Sequence, residues 1–184
     1  VDAEAARADR DEHQRGRGDH ADQLEAIVGD EHAVADVEQQ ERPWVYHTRD
    51  LPSDMKDNKY GGETTPLKVG DSLYLCTAKN ILVSLDPATG RERWRFDPRV
   101  ADEWIPYTAA CRGVAYFAQA GVAATDTCAA RVIEGTLDGR LIAVDARTGR
   151  PCADFGANGQ VDMKRGMGPV FPGMVSITSP PTIV

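Results

Sequence analysis

The chain has 184 residues, 41% hydrophobic and 27% charged, the size and composition of one ordinary globular domain. No stretch approaches the roughly 18 consecutive apolar residues that a spanning helix needs, and Val1 opens neither a signal peptide nor a lipidation motif, so an export signal is expected upstream. The net charge of −8 sits entirely in residues 1–42, with 13 Asp/Glu against 5 Arg; residues 43–184 are balanced and give no electrostatic reason to expect nucleic acid or an anionic membrane surface as partner.

Residues 1–42 contain no Lys, Ser, Thr, Asn, Pro, Cys, Met or aromatic residue. Every residue type there except Ile27 is encodable by codons beginning with G or C. Two readings stand: a GC-rich stretch translated outside the selected frame, or an acidic, solvated arm. Either way the segment has little apolar area to set against the entropy of ordering it, and is expected to be disordered or at most marginally helical. His13, His20 and His32 lack the close Cys or His partners of a metal site.

From Pro43 onward the segments read as short strands and tight turns. Ser72–Thr77 is a strand joined through Ala78-Lys79-Asn80 to a second one, Leu82–Leu85, which runs into Asp86-Pro-Ala-Thr-Gly90. In that pentapeptide the Asp and Thr oxygens take the turn's free N–H groups and Gly supplies a positive φ. Glu92-Arg-Trp94-Arg-Phe96 then alternates with the period of a strand. The pattern returns 59 residues later: Arg131–Thr136, a hairpin at Asp138-Gly139, Leu141–Val144, the turn Asp145-Ala-Arg-Thr-Gly149, and a strand expected over Pro151–Phe155. Thr65-Pro66 is echoed by Ser179-Pro180, as if a third unit begins. Repeats of about four antiparallel strands at this period point to β-propeller blades, an all-β fold, and two blades cannot close a ring. Residues 43–184 are thus expected to be a piece of a larger propeller, with exposed edges where the missing blades belong.

Trp44-Val-Tyr-His-Thr48, Glu63-Thr-Thr-Pro-Leu-Lys-Val-Gly-Asp71, Leu85-Asp86-Pro-Ala-Thr-Gly90-Arg-Glu-Arg-Trp94 and Cys111-Arg112-Gly113 together resemble the membrane-bound quinoprotein dehydrogenases of the glucose/quinate/shikimate type. The resemblance covers residues 44–184. It implies an eight-bladed propeller, the cofactors pyrroloquinoline quinone (PQQ) and Ca²⁺, a sugar or cyclic polyol substrate, ubiquinone as electron acceptor, and a place on the periplasmic side of the inner membrane. Residues 1–42 do not show the family's lead-in.

PQQ is a planar quinone with three carboxylates, so its pocket needs cationic and hydroxyl donors. By resemblance, Arg112 meets a cofactor carboxylate, Glu63 lies beside the quinone plane, and Thr178 and Ser179 offer hydroxyls. Glucose-type members often place a His where this chain has Thr108, next to Tyr107, whose ring offers a flat surface; strict glucose specificity is therefore not expected, and quinate or another polyol stays open. Trp94, with Asp86 and Gly90, resembles the family's tryptophan-docking element, and Asp145 and Gly149 repeat its turn. The catalytic carboxylate and the calcium ligands are expected outside this chain, which alone should be inactive. In an oxidising compartment Cys111 and Cys128 are the expected disulfide, with Cys76 and Cys152 as small core residues. The competing class is a noncatalytic propeller interaction module, which has no need of Arg112 and Glu63 at a propeller axis.

Overall fold

The computed structural model describes residues 44–50, 59–105 and 108–184; the expectations for residues 1–42 and for Tyr107 lie outside the described residues. All described residues belong to one compact unit, Pro43–Val184. Its strands are β1 (Tyr60–Gly61), β2 (Leu67–Val69), β3 (Ser72–Cys76), β4 (Leu82–Leu85), β5 (Glu92–Phe96), β6 (Ala109–Ala110), β7 (Ala115–Ala118), β8 (Ala130–Gly135), β9 (Arg140–Asp145) and β10 (Gln160–Asp162). Two four-stranded antiparallel meanders result, β2-β3-β4-β5 and β7-β8-β9-β10, and β1 pairs in parallel with β6. These are the two expected blades.

The turns form as their chemistry dictates. Asp86 Oδ1 accepts the Ala88 and Thr89 N–H groups at 3.0 and 3.1 Å, and Asp145 Oδ1 accepts those of Arg147 and Thr148 at 3.0 and 2.8 Å. Gly90 and Gly149 close the turns at φ +68° and +70°. Each also bears an indole: a Cβ on Gly149 would stand 2.6 Å from Trp94, and one on Gly90 would stand 2.4 Å from Trp44. Trp94 Nε1 donates to Ala146 O, and Trp44 Nε1 to Pro87 O, at 3.0 Å in both cases. Trp94 thus packs on the turn of the neighbouring repeat, and Trp44 repeats the arrangement on the first blade.

The main core lies between the sheets, where Tyr74, Cys76, Leu82 and Trp94 of the first blade meet Val132, Ile142 and Val144 of the second. The far face of the first blade (Leu75, Val83, Leu85) is covered by Trp44 and Tyr46. On the far face of the second, Ile133 and Ala143 pack with Cys128, Cys152 and Phe155.

Two expectations are corrected. Pro151–Phe155 is not the fourth strand of the second blade: after one bridge from Pro151 to Val144 the chain turns away, and β10 forms only at Gln160–Asp162. Pro151 has no N–H to give a ladder, and Cys152 is drawn into a disulfide. The expected Cys111–Cys128 bond does not exist; the pairs are Cys76–Cys111 and Cys128–Cys152, with Cα–Cα distances of 5.9 and 5.7 Å. Cys111 packs in the core between the blades and Cys128 on the opposite face of the second sheet, so that sheet separates them.

Candidate functional site

The parallel pair β1/β6 sets the site. Tyr60 and Gly61 lie beside Ala109 and Ala110, and two residues beyond each strand come Glu63 and Arg112. Both side chains are exposed, and Arg112 Nε donates to Glu63 Oε2 at 3.0 Å. The backbone around Arg112 is held from both sides, its carbonyl accepting from Thr65 N at 3.0 Å and its N–H donating to Thr178 O at 2.8 Å. Behind it, a Cβ on Gly113 would touch Thr65 O at 3.4 Å and Pro180 at 3.7 Å. The two echoing segments, Thr65-Pro66 and Ser179-Pro180, thus converge on Arg112-Gly113.

Four of the expected residues are brought together: Glu63, Arg112, the half-buried Thr178 and the exposed Ser179 next to it. Thr108 joins them, since a Cβ on Gly61 would meet Glu63 Oε1 at 3.2 Å and Thr108 Cγ2 at 3.3 Å. Among the described residues the two Nη groups of Arg112 have no partner, because only Nε is engaged. An exposed guanidinium steadied by a carboxylate, with its fork open and two hydroxyl residues alongside, fits a carboxylate-bearing planar cofactor.

Three features of the surroundings lie beyond what the sequence reading above names. The Cys76–Cys111 disulfide lines a small cavity together with Glu63, Thr64 and Tyr60, so the residue before Arg112 is anchored to the end of β3. Asn80, fully buried at φ +65°, bridges the blades: its Nδ2 donates to Gly135 O at 3.2 Å and its Oδ1 accepts from Leu137 N at 2.9 Å. Its place in the first hairpin matches Gly139 in the second, which is the signal that could have found it. Glu134 is fully buried, and burial pushes its carboxyl well above the usual range, although Arg140 acts in the opposite direction.

Among the described residues no ready metal centre accompanies the site. Among the described residues the clusters with metal-like spacing are Cys76/Cys111/Glu134 and Cys128/Cys152/Asp154, and in each the two sulfurs are tied in a disulfide. No described helix is long and apolar enough to cross a membrane.

Residues 30–184 match the family described as "PQQ: Glucose/ethanol/alcohol dehydrogenase, beta-propeller domain", a match that begins 14 residues before Trp44. The glycerol dehydrogenase large subunit of Gluconobacter oxydans (strain 621H) is 52% identical over 141 residues, covering 77% of this chain and 19% of that protein. Quinoprotein glucose dehydrogenase A of Acinetobacter calcoaceticus is 37% identical over 148 residues, covering 74% and 18%. Quinate/shikimate dehydrogenase (quinone) of Acinetobacter baylyi (strain ATCC 33305 / BD413 / ADP1) is 37% identical over 161 residues, covering 76% and 19%. The chain therefore spans about a fifth of the length of these relatives.

Proposed function

This chain belongs to the PQQ-dependent glucose/ethanol/alcohol dehydrogenase β-propeller family, and from that premise we propose that it forms the first two blades of a quinoprotein dehydrogenase oxidising a polyol such as glycerol. The observation that carries the reading is the Glu63–Arg112 pair with its open guanidinium fork beside Thr178 and Ser179. A PQQ held there would supply the capacity to take up two electrons and two protons from an alcohol. Arg112 would hold one cofactor carboxylate through its Nη groups, Glu63 fixes the plane of the guanidinium, and the hydroxyls of Thr178 and Ser179 would donate to cofactor oxygens. Calcium and the catalytic base are assigned to the remainder of the propeller, and ubiquinone is the electron acceptor.

Two observations favour an open-chain polyol over glucose or quinate. Identity is 52% to the glycerol dehydrogenase subunit and 37% to the glucose and quinate/shikimate enzymes. Position 108, where glucose-type members often place a His, is a small Thr packed beside Gly61. The two disulfides support a place in an oxidising compartment, the periplasmic side of the inner membrane.

The test is dye reduction by the complete enzyme loaded with PQQ and Ca²⁺. Glycerol should be oxidised with a higher kcat/KM than glucose or quinate. A preference for glucose or quinate overturns the substrate assignment, and failure to retain PQQ at all returns the chain to the noncatalytic class.

A further inference from the structure

Glu134 stands apart from the other described carboxylates: it is 0% exposed, and among the described residues neither oxygen has a hydrogen-bond partner. By strand alternation it shares the face of Val132, which packs toward the first blade. Its carboxyl lies within 4.8 Å of both sulfurs of Cys76–Cys111. The other disulfide offers a contrast, because the carboxylate beside it, Asp154, is exposed and already bonded to Arg131.

A buried polar group without a partner raises the free energy of the state that leaves it so. Disulfide sulfurs have no proton to offer Glu134, whereas two thiols each bring an S–H donor. The oxidised form of this pair leaves an orphan, whereas its reduced form places two S–H donors beside it. Burial does not separate the two disulfides, since all four cysteines are at most 4% exposed. Cys111 also immediately precedes Arg112, and Cys76 fixes it to the end of β3 at the cavity wall shared with Glu63.

We propose that Cys76–Cys111 is a redox-labile clamp on Arg112, with Glu134 as the hydrogen-bond partner built in for its dithiol form. The consequence for the cofactor rests on the function proposed above; the lability does not. A small dithiol supplies the two electrons and two protons: its thiolate attacks one protein sulfur, the Cys76–Cys111 bond breaks, and the mixed disulfide resolves as the reductant closes its own S–S bond. Each protein sulfur then carries one proton.

The experiment equilibrates the complete enzyme, without PQQ, against graded ratios of reduced to oxidised dithiothreitol and maps the trapped thiols by mass spectrometry. Cys76–Cys111 should open at a smaller excess of reductant than Cys128–Cys152. Glu134→Leu removes the orphan and should demand about tenfold more reductant, whereas Glu134→Gln keeps a buried acceptor and should follow the parent. PQQ affinity, read by fluorescence quenching, should fall as this disulfide opens and stay unchanged in Cys128→Ser/Cys152→Ser. Opening of Cys128–Cys152 first, or Glu134→Leu opening together with the parent, overturns the lability. Opening with PQQ affinity intact overturns the clamp. An Arg112→Ala variant with normal PQQ affinity would instead count against the cofactor reading itself.

Discussion

The two blades use one turn and finish it differently. In the first, the second carboxylate oxygen of Asp86 is taken by Arg93 at 2.9 Å, and that guanidinium together with the Ala88 and Thr89 N–H groups holds the carboxyl down at about 2. In the second, burial of Asp145 pushes its carboxyl up, but the Cys128 N–H at 2.6 Å and the Thr148 and Arg147 donors outweigh it, and the net shift is downward. The first blade covers its far face with Trp44 and Tyr46; the second covers it with the Cys128–Cys152 disulfide and Phe155. The comparison shows which parts of a blade are dictated by backbone chemistry and which by whatever is at hand. The Asp Oδ1 bonds to the turn N–H groups and the indole on the closing glycine recur in both blades, while the outer strand and the far-face cover do not.

The sharpest break in the comparison is at the indoles. Trp94 is 9% exposed between two sheets, and Trp94→Ala should cost about 3–5 kcal/mol in a complete propeller. Trp44→Ala, at a half-buried site, should cost clearly less by the same denaturant titration. Equal losses would mean that the two docking sites are energetically alike.

Next in size is the covalent cover of the second blade. Removing Cys128–Cys152, which spans 24 residues, should cost about 3–4 kcal/mol on the loop-entropy scale. An unchanged unfolding midpoint would show that Phe155 alone suffices to cover that face. Asn80→Ala, which cuts the two hydrogen bonds to Gly135 and Leu137, should cost about 1–3 kcal/mol and loosen amide exchange protection at Leu137.

The smallest expected effect concerns pH. Glu134 has a folded-state value raised above 4.5, so its neutral form favours the fold below that value, and the contribution is lost as pH rises toward the folded value. Glu134→Gln should therefore gain thermal stability over the parent as pH increases from 4.5, with Arg140 and Asp138 nearby in both proteins. A parallel pH course in the two would mean that Glu134 is not held neutral.

Much of this arrangement was legible in the residues. The 59-residue echo, the Asp-to-Gly turns and the alternation around Trp94 carry their structural meaning locally, because each depends on a few adjacent backbone groups. Glu63 and Arg112 were separately legible by resemblance, but their ion pair was not, because it depends on parallel pairing of two-residue strands 49 positions apart. The disulfide pairing failed for a related reason. Chain proximity favours Cys111 with Cys128, whereas sheet faces decide, and β7–β9 put those two cysteines on opposite sides. Glu134 escaped notice because β8 is buried on both faces toward its end, so no apolar–polar alternation marks the residue that points into the core.

The central claim is that Arg112 meets a carboxylate of PQQ, and it is tested most directly by titrating the cofactor-free complete enzyme with PQQ. Arg112→Ala should weaken binding by roughly ten- to hundredfold, the loss of a charge-assisted hydrogen bond of about 1.5–3 kcal/mol, with the unfolding midpoint unchanged. PQQ affinity equal to that of the parent would remove Arg112 from the site and contradict the account.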